Sequence, residues 1–355
     1  GGAAAVYGAD AVSGVVNVIL RENVDGLELS TRQAMSGRGD AYSYSYGAMF
    51  GGKVGDRGRI TVGLSYNHED PLSWSDRSFG TYNSFLPNPA NGNSSDGIPD
   101  NLFYRDLRFR TSAYSGTFRI GTLPRMTYAD GVLRELQNDS IYPLFGPPGD
   151  PTYGIGGEGN NPANISFFRQ KYKSISALTH FSYELSDSIS LESDLQFAQA
   201  TAGLKYPGSA TSMTSTVYHQ AGRENPFIPA QVLSLMDQYG LTSLSVRRND
   251  LLQSNWSQGR ASTRTTYTGT LKLDGQFSDA LSWQVFGQYG KFDNKDIFFG
   301  ERILSRYAEA ADAVLDPATG QPMCFSASAR AAGCRPINLF GFNPNYSQET
   351  LDYFS

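Results

Sequence analysis

The chain has 355 residues, with 21 Tyr, 21 Phe, 38 Gly, only 18% charged residues and a formal net charge of −5. So mild a charge, with no basic run interleaved with aromatics, excludes nucleic acid as a partner. No stretch of ~18 apolar residues occurs, which excludes a helical membrane span, and the composition suits strands with one apolar and one polar face.

The first segment, Tyr7-Gly8-Ala9-Asp10-Ala11-Val12-Ser13-Gly14-Val15-Val16-Asn17-Val18-Ile19, is a glycine-punctuated turn leading into an apolar run that ends at Leu20. Glycine supplies backbone freedom at the turn, and β-branched residues favour a strand. The stretch Arg21 to Gly26 breaks the run. These first residues read as the interior of a small domain, so the chain is expected to be a fragment whose N-terminus has been removed.

Beyond Gly26, alternation with a period of two repeats along the chain. Leu27 to Met35 is the first candidate strand. Tyr42, Tyr44, Tyr46, Ala48 and Phe50 then oppose Ser43, Ser45 and Gly47, and Ile60, Val62, Leu64 and Tyr66 oppose Thr61, Gly63, Ser65 and Asn67. Ile175 to Leu185 and Ile189 to Phe197 continue the pattern. Its cleanest instance sets Tyr267, Gly269, Leu271, Leu273 and Phe277 against Thr266, Thr268, Thr270, Lys272, Asp274 and Gln276; Ser282 to Phe292 follows with poorer alternation. Runs of about ten residues match a tilted strand crossing a bilayer, against a mode of about five to six in ordinary globular strands.

Tight connections (Val54 to Gly58, Leu185 to Ser188, Ser278 to Ala280) alternate with long ones at about 71–173, 205–262 and 298–355. Transmembrane barrels have short periplasmic turns and long extracellular loops. The expected fold is therefore all-β, a partial antiparallel transmembrane β-barrel with long external loops. Within those loops, helices are expected over Pro229–Tyr239, Ile303–Leu315 and from within Tyr346–Phe354, and a hairpin within Leu102–Arg119. Cys324 and Cys334 stand ten positions apart, which favours a disulfide closing a short surface loop over two unpaired thiols. Such a bond implies an oxidising compartment.

The segment Tyr7-Gly8-x-x-Ala11-x-x-Gly14-Val15-x-Asn17-x-Ile19 resembles the closing segment of the plug domain in TonB-dependent outer-membrane receptors. Cys334-Arg335-Pro336-Ile337-Asn338-Leu339-Phe340-Gly341 resembles a loop element of one branch of these receptors. The resemblance implies that residues 1–22 are the end of a plug. Residues 23–355 would then be the N-terminal portion of a 22-stranded barrel in the outer membrane of a Gram-negative bacterium. The family's energy-coupling box, most of its plug and its barrel-closing C-terminal aromatic are not found in these residues. The implied function is active, TonB-energised uptake of a scarce large solute of the siderophore, cobalamin or oligosaccharide class. The implied partners are outer-membrane lipid, the energy-transducing protein reached through the absent plug N-terminus, and the ligand.

No nucleophile–base set stands out, and no enzymatic role, cofactor or metal site is expected. His68, His180 and His219 read as ordinary polar residues. Asp96-Gly97-Ile98-Pro99-Asp100 resembles the tail of a calcium loop but lacks two upstream carboxylates. The glycine-rich run Gly154 to Gly159 lacks the Lys-Ser/Thr of a phosphate loop. The charges Glu28, Arg32, Glu184, Glu192, Asp194, Arg264, Lys272 and Asp274 would be costly in lipid and are expected to face a lumen and hold the plug. Trp74, Tyr82, Tyr104, Tyr153 and Trp256 in the external loops are candidate ligand contacts, because aromatic rings are stiff anchors. The competing readings are a passive porin or structural surface barrel, and a soluble secreted β protein whose outward strand faces would be polar.

Overall fold

Alternation along the sequence becomes a single antiparallel sheet. In this computed structural model, which describes residue 21 and residues 24–90, 95–145, 151–207, 219–250, 255–342 and 346–355, the sheet has seven strands. They are β1 (Gly26–Ala34), β2 (Ser43–Val54), β3 (Gly58–Glu69), β4 (Lys171–Ser186), β5 (Ile189–Pro207), β6 (Ser257–Ser278) and β7 (Leu281–Phe299), paired in chain order. The plug-like segment Tyr7 to Ile19 lies outside the described residues.

Register sorts the side chains. Directly opposed residues share a face, so Leu29, Ala48, Leu64, Ala177, Phe197 and Tyr267 form one row across six strands. The adjacent row on the opposite face is Ser30, Gly47, Ser65, Ser176, Ala198 and Thr266. The apolar face is open: Leu29 is 74% exposed, Leu271 54% and Phe277 74%.

Connections segregate by length. The turns β2–β3, β4–β5 and β6–β7 share one end of the sheet, where Arg57 and Asp187 from two of them meet at 3.0 Å. Chain segments 70–170, 208–256 and 300–355 all leave from the other end, beside the β1–β2 turn. Strands β4 to β7 run 16 to 22 residues, longer than their alternating runs. Toward the long-connection end the would-be apolar row becomes Lys173, Thr201, Thr263 and Lys295. The hydropathy signal fades there while the backbone ladder continues.

The long connections fold together into a cap with its own core. A five-stranded sheet joins Thr117–Phe118, Met126–Ala129 and Val132–Glu135 of the first connection to Ser243–Arg247 and His219–Gly222 of the second. Phe118, Val232, Met236, Tyr307, Leu339 and Phe354, drawn from all three connections, share one buried cluster. The helix expected at Pro229 spans Ala230–Gln238, and Gln348–Phe354 forms a helix capped by Ser347. The helix expected to reach Leu315 stops at Ala311, because Ala313–Leu315 pairs instead with Pro322–Cys324. A short helix, Ala327–Ala331, was not foreseen. The hairpin expected within Leu102–Arg119 is also displaced: Asn101–Tyr104 pairs backward with Ser84–Pro87, and Asn88 donates to the Pro99 carbonyl just beyond the paired residues.

Cys324 and Cys334 are bonded, with Cα atoms 6.3 Å apart. The bond is not at the surface as expected; both residues are buried in the cap core. Closing a loop of this length removes unfolded-state entropy worth about 2–3 kcal/mol. The double change Cys324→Ser, Cys334→Ser is therefore expected to lower cap stability by that amount, read as earlier protease cleavage within 300–355 during denaturant titration, with cleavage in the sheet unchanged.

Candidate functional site

Two regions collect the polar and aromatic groups. The first is the polar face of the sheet. Glu192 and Lys272 are direct cross-strand partners, and Lys272 Nζ lies 3.1 Å from Glu192 Oε2 and 2.9 Å from Asp274 Oδ2. Gln284 donates to Asp274 at 2.7 Å, and His180 Nδ1 lies 2.8 Å from Asp194 Oδ1. The sheet thus brings Glu192, Asp194, Lys272 and Asp274 onto neighbouring rows of β5 and β6. Glu184 lines a groove of about 760 Å³ with Asp274 and Gln284 at the tight-turn end. Arg32 and Arg264 belong to one row with four strands between them, and both are exposed.

Chain entering β1 comes in across this polar face. Val24 is buried, and a Cβ added at Gly51 would come within 2.2 Å of the Val24 carbonyl oxygen, so only glycine admits the crossing. Arg59 donates to the Val24 carbonyl and to Asp25, and Arg21 makes two hydrogen bonds to Glu28 at 2.7 and 2.8 Å.

The second region is the cap. Of the five expected ligand aromatics, Tyr82, Tyr104 and Tyr153 belong to one string of rings. Tyr82 stacks on Phe109, which contacts Tyr153; Tyr153 meets Phe145 edge-on, and Phe145 leads through Tyr142 to Tyr104. Successive centroids are 5.1 to 6.5 Å apart. Burial, with Tyr82 alongside, raises the Tyr153 hydroxyl's pKa. Trp74 stands apart, stacked on Phe168 at 5.3 Å. Trp256 is corrected: it is 4% exposed, its indole donates to the Gly300 carbonyl, and its ring packs on Phe354, so it serves the core and no ligand can reach it. The tail-like Asp96 caps its own turn by accepting from Ile98 N.

No model of a known protein family matches this chain, and neither does any curated protein sequence.

Sequence reasoning missed the cap's buried charge centre. Asp250 accepts from Arg248 at 3.0 Å, Arg302 at 2.7 Å, Tyr307 at 2.9 Å and Tyr346 at 2.8 Å. Arg248 also donates to the Gly341 carbonyl, and the Arg302 guanidinium lies 4.0 Å over the Tyr307 ring. Burial alone would raise the Asp250 carboxyl, but Arg302 and Arg248, helped by the two phenols, hold it below the ordinary carboxylate range. The available signal was the charged run Arg247-Arg248-Asn249-Asp250 inside an otherwise apolar-patterned loop. His219 packs on Tyr307 at 4.5 Å, and burial plus Arg302 push its pKa down to about 4.

Two outcomes follow for the cap. Asp250→Ala strands two buried guanidiniums, and it is expected to cost about 3–5 kcal/mol in a denaturant titration. For His219, the unfolded chain takes up a proton below about pH 6.5, while the folded cap refuses it until about pH 4. Cap stability should therefore fall as pH drops through that window, by on the order of 3 kcal/mol. His219→Phe should flatten the profile there, measured by cap proteolysis between pH 4 and 7, whereas Asp250, held low in the folded cap, withdraws stability as pH falls through the ordinary carboxylate pKa of about 4 and below.

Proposed function

We propose that this chain is the start of a transmembrane β-barrel in an outer-membrane receptor of the TonB-dependent kind, working in energised uptake of a scarce large solute. The observation that carries the reading is the open apolar face running across β1 to β6 and continued by Val285 and Tyr289 of β7, with the turns β2–β3, β4–β5 and β6–β7 at one end and the cap at the other. Beside Tyr267 the β7 position on this face is Lys291, paired with Asp293. A contiguous exposed apolar surface of this extent marks a membrane or partner interface, and alternation of lipid-facing with lumen-facing residues is how barrels satisfy both environments. The soluble reading requires polar residues where Leu29, Leu64, Ile175 and Leu271 stand.

On this reading the polar face is the lumen wall. Its Glu192–Lys272–Asp274 and His180–Asp194 groups supply hydrogen bonds and ion pairs to a plug without putting charge into lipid. The buried approach of Val24 at Gly51 supports a plug on that side, since the chain reaches β1 from there. The cap is the extracellular ligand surface, and the accessible rings of the string, Tyr82, Phe109, Tyr153, Phe145 and Tyr104, are its ligand contact, offering ring faces to a sugar, a ring system or a chelator, with buried Tyr142 supporting them from below. The work is binding and gating, with the energy-transducing partner acting through the plug's N-terminal part.

The full-length gene product tests this directly. It is expected to sediment with the outer membrane, resist carbonate extraction and require detergent for release. Its solute should enter only in cells that retain the energy-transducing complex. Release by carbonate would overturn the membrane placement. Uptake that persists without that complex would turn the reading toward a passive porin. Tyr153→Ala, which interrupts the ring string, is expected to weaken ligand binding by roughly 1–2 kcal/mol, seen as a raised half-saturation concentration with expression unchanged.

A further inference from the structure

Toward the cap, the apolar face changes chemistry. Lys171 and Lys173 of β4, Lys205 of β5 and Lys295 of β7 all occupy apolar-face positions. Register runs Lys173–Thr201–Thr263–Lys295 in one row, Lys171–Gly203–Ala261 in the next, and Lys205–Gly259 beyond it. Between the lysines the floor is Thr201, Gly203, Gly259, Ala261 and Thr263, with Ile297 at its β7 edge. A shallow cavity of about 300 Å³ lies there, lined by Lys171, Lys173, Lys205, Gly203 and Phe299 among others. A Cβ at Gly259 would fall 2.5 Å from the Phe299 ring, so the ring lies directly on that backbone and walls the cavity.

The four ammonium groups are exposed, and among the described residues none of them makes an ion pair. Nearby acids on this face are already engaged: Asp293 with Lys291 at 2.9 Å, and Asp70 with His68 at 2.9 Å. A net positive ring thus borders the apolar band. Lys173 stands two residues, about 7 Å, from Ile175, and the ring pair Phe197–Tyr267, at 5.2 Å, continues the band below Thr201 and Thr263.

We propose that this rim is a binding site for a phosphorylated membrane lipid, with phosphate among Lys171, Lys173, Lys205 and Lys295 and acyl chains along Ile175, Phe197 and Tyr267. The inference rests on the membrane reading above. Continuity of the basic rim with the apolar band on one face selects a lipid over a free anion, which has no use for the band. Lysine suits the position: its compact, strongly hydrated charge can remain at the water boundary while its stem lies on apolar surface.

The test uses the detergent-purified full-length protein titrated with diphosphorylated lipid A or with phosphatidylcholine, with bound lipid counted by native mass spectrometry. Lipid A is expected to bind selectively. The combined variant Lys171→Gln, Lys173→Gln, Lys205→Gln, Lys295→Gln should bind it roughly tenfold more weakly or worse, while Lys53→Gln, on the opposite face, should not. Equal binding of the two lipids, or unchanged binding by the fourfold variant, overturns the site. Competition by millimolar inorganic phosphate as effective as by lipid A would assign the lysines to a free anion and also overturn it. Insertion of the same protein into phosphatidylcholine nanodiscs reads the membrane placement separately. Failure to insert overturns that placement and this site with it, whereas insertion without lipid A selectivity overturns the site alone.

Discussion

An apolar sheet face that nothing among the described residues covers is the constraint to which the rest of the molecule answers. Leu27, Leu29, Phe50, Leu64, Ile175, Leu195, Leu271 and Phe277 are all exposed, and each Å² of such surface costs about 25 cal/mol against water. From β1 to β6 the opposite face is mostly serine, threonine, small residues and charge, and only β7 turns large apolar rings, Phe286 and Phe292, to it, so the two faces do not suit the same surroundings. One side must meet an apolar medium and the other a polar one. The alternation supplies that division, and among the described residues no helix is long and apolar enough to span a bilayer. Among the described residues, β1 and β7 each keep one unpaired edge. Lipid does not tolerate open edges, so residence in a bilayer needs both edges paired.

The cap solves a different problem. Three connections separated by strands in sequence must settle into one arrangement, and a greasy core alone packs them with little directional preference. Asp250 adds direction. It draws Arg248 from its own connection and Arg302, Tyr307 and Tyr346 from the third, while Asn249 N donates to the Ala113 carbonyl of the first. Arg77 ties the same assembly to the sheet by donating to Asp40 in the β1–β2 turn at 2.6 and 2.8 Å. The disulfide then closes the third connection inside the core.

The strands were legible because period-two alternation is a local signal, and register preserved it: Tyr267, Leu271 and Leu273 point the way their spacing implied. Helix Ala230–Gln238 was legible for the same reason, with Pro before it and Gly240 after it. What escaped depended on distant partners. Ala313–Leu315 reads as helix until Pro322–Cys324 arrives to pair with it. Trp256 reads as an external ring until Phe354, a hundred residues on, covers it. Asp250 reads as a solvated loop charge because its cations and phenols come from positions 248, 302, 307 and 346. The ends of β4 to β6 escaped because large apolar residues no longer alternate with polar ones there, as Lys171, Lys173, Gly203, Lys205, Thr263 and Arg264 show, and the end of β7 escaped because Ile297-Phe298-Phe299 is apolar on both faces; backbone hydrogen bonds continue the strands.

Faces separated by a single residue give the sharpest measurement. Cysteine placed by Leu271→Cys or by Thr270→Cys in the reconstituted full-length protein can be spin-labelled and its collision rate measured with oxygen dissolved in the bilayer and with a water-soluble nickel chelate. The account predicts that the label at 271 relaxes with oxygen and ignores the chelate, while the label at 270 does the reverse. Matching accessibility at the two positions, or the chelate reaching 271 in preference to 270, would contradict a lipid-facing exterior and everything built on it.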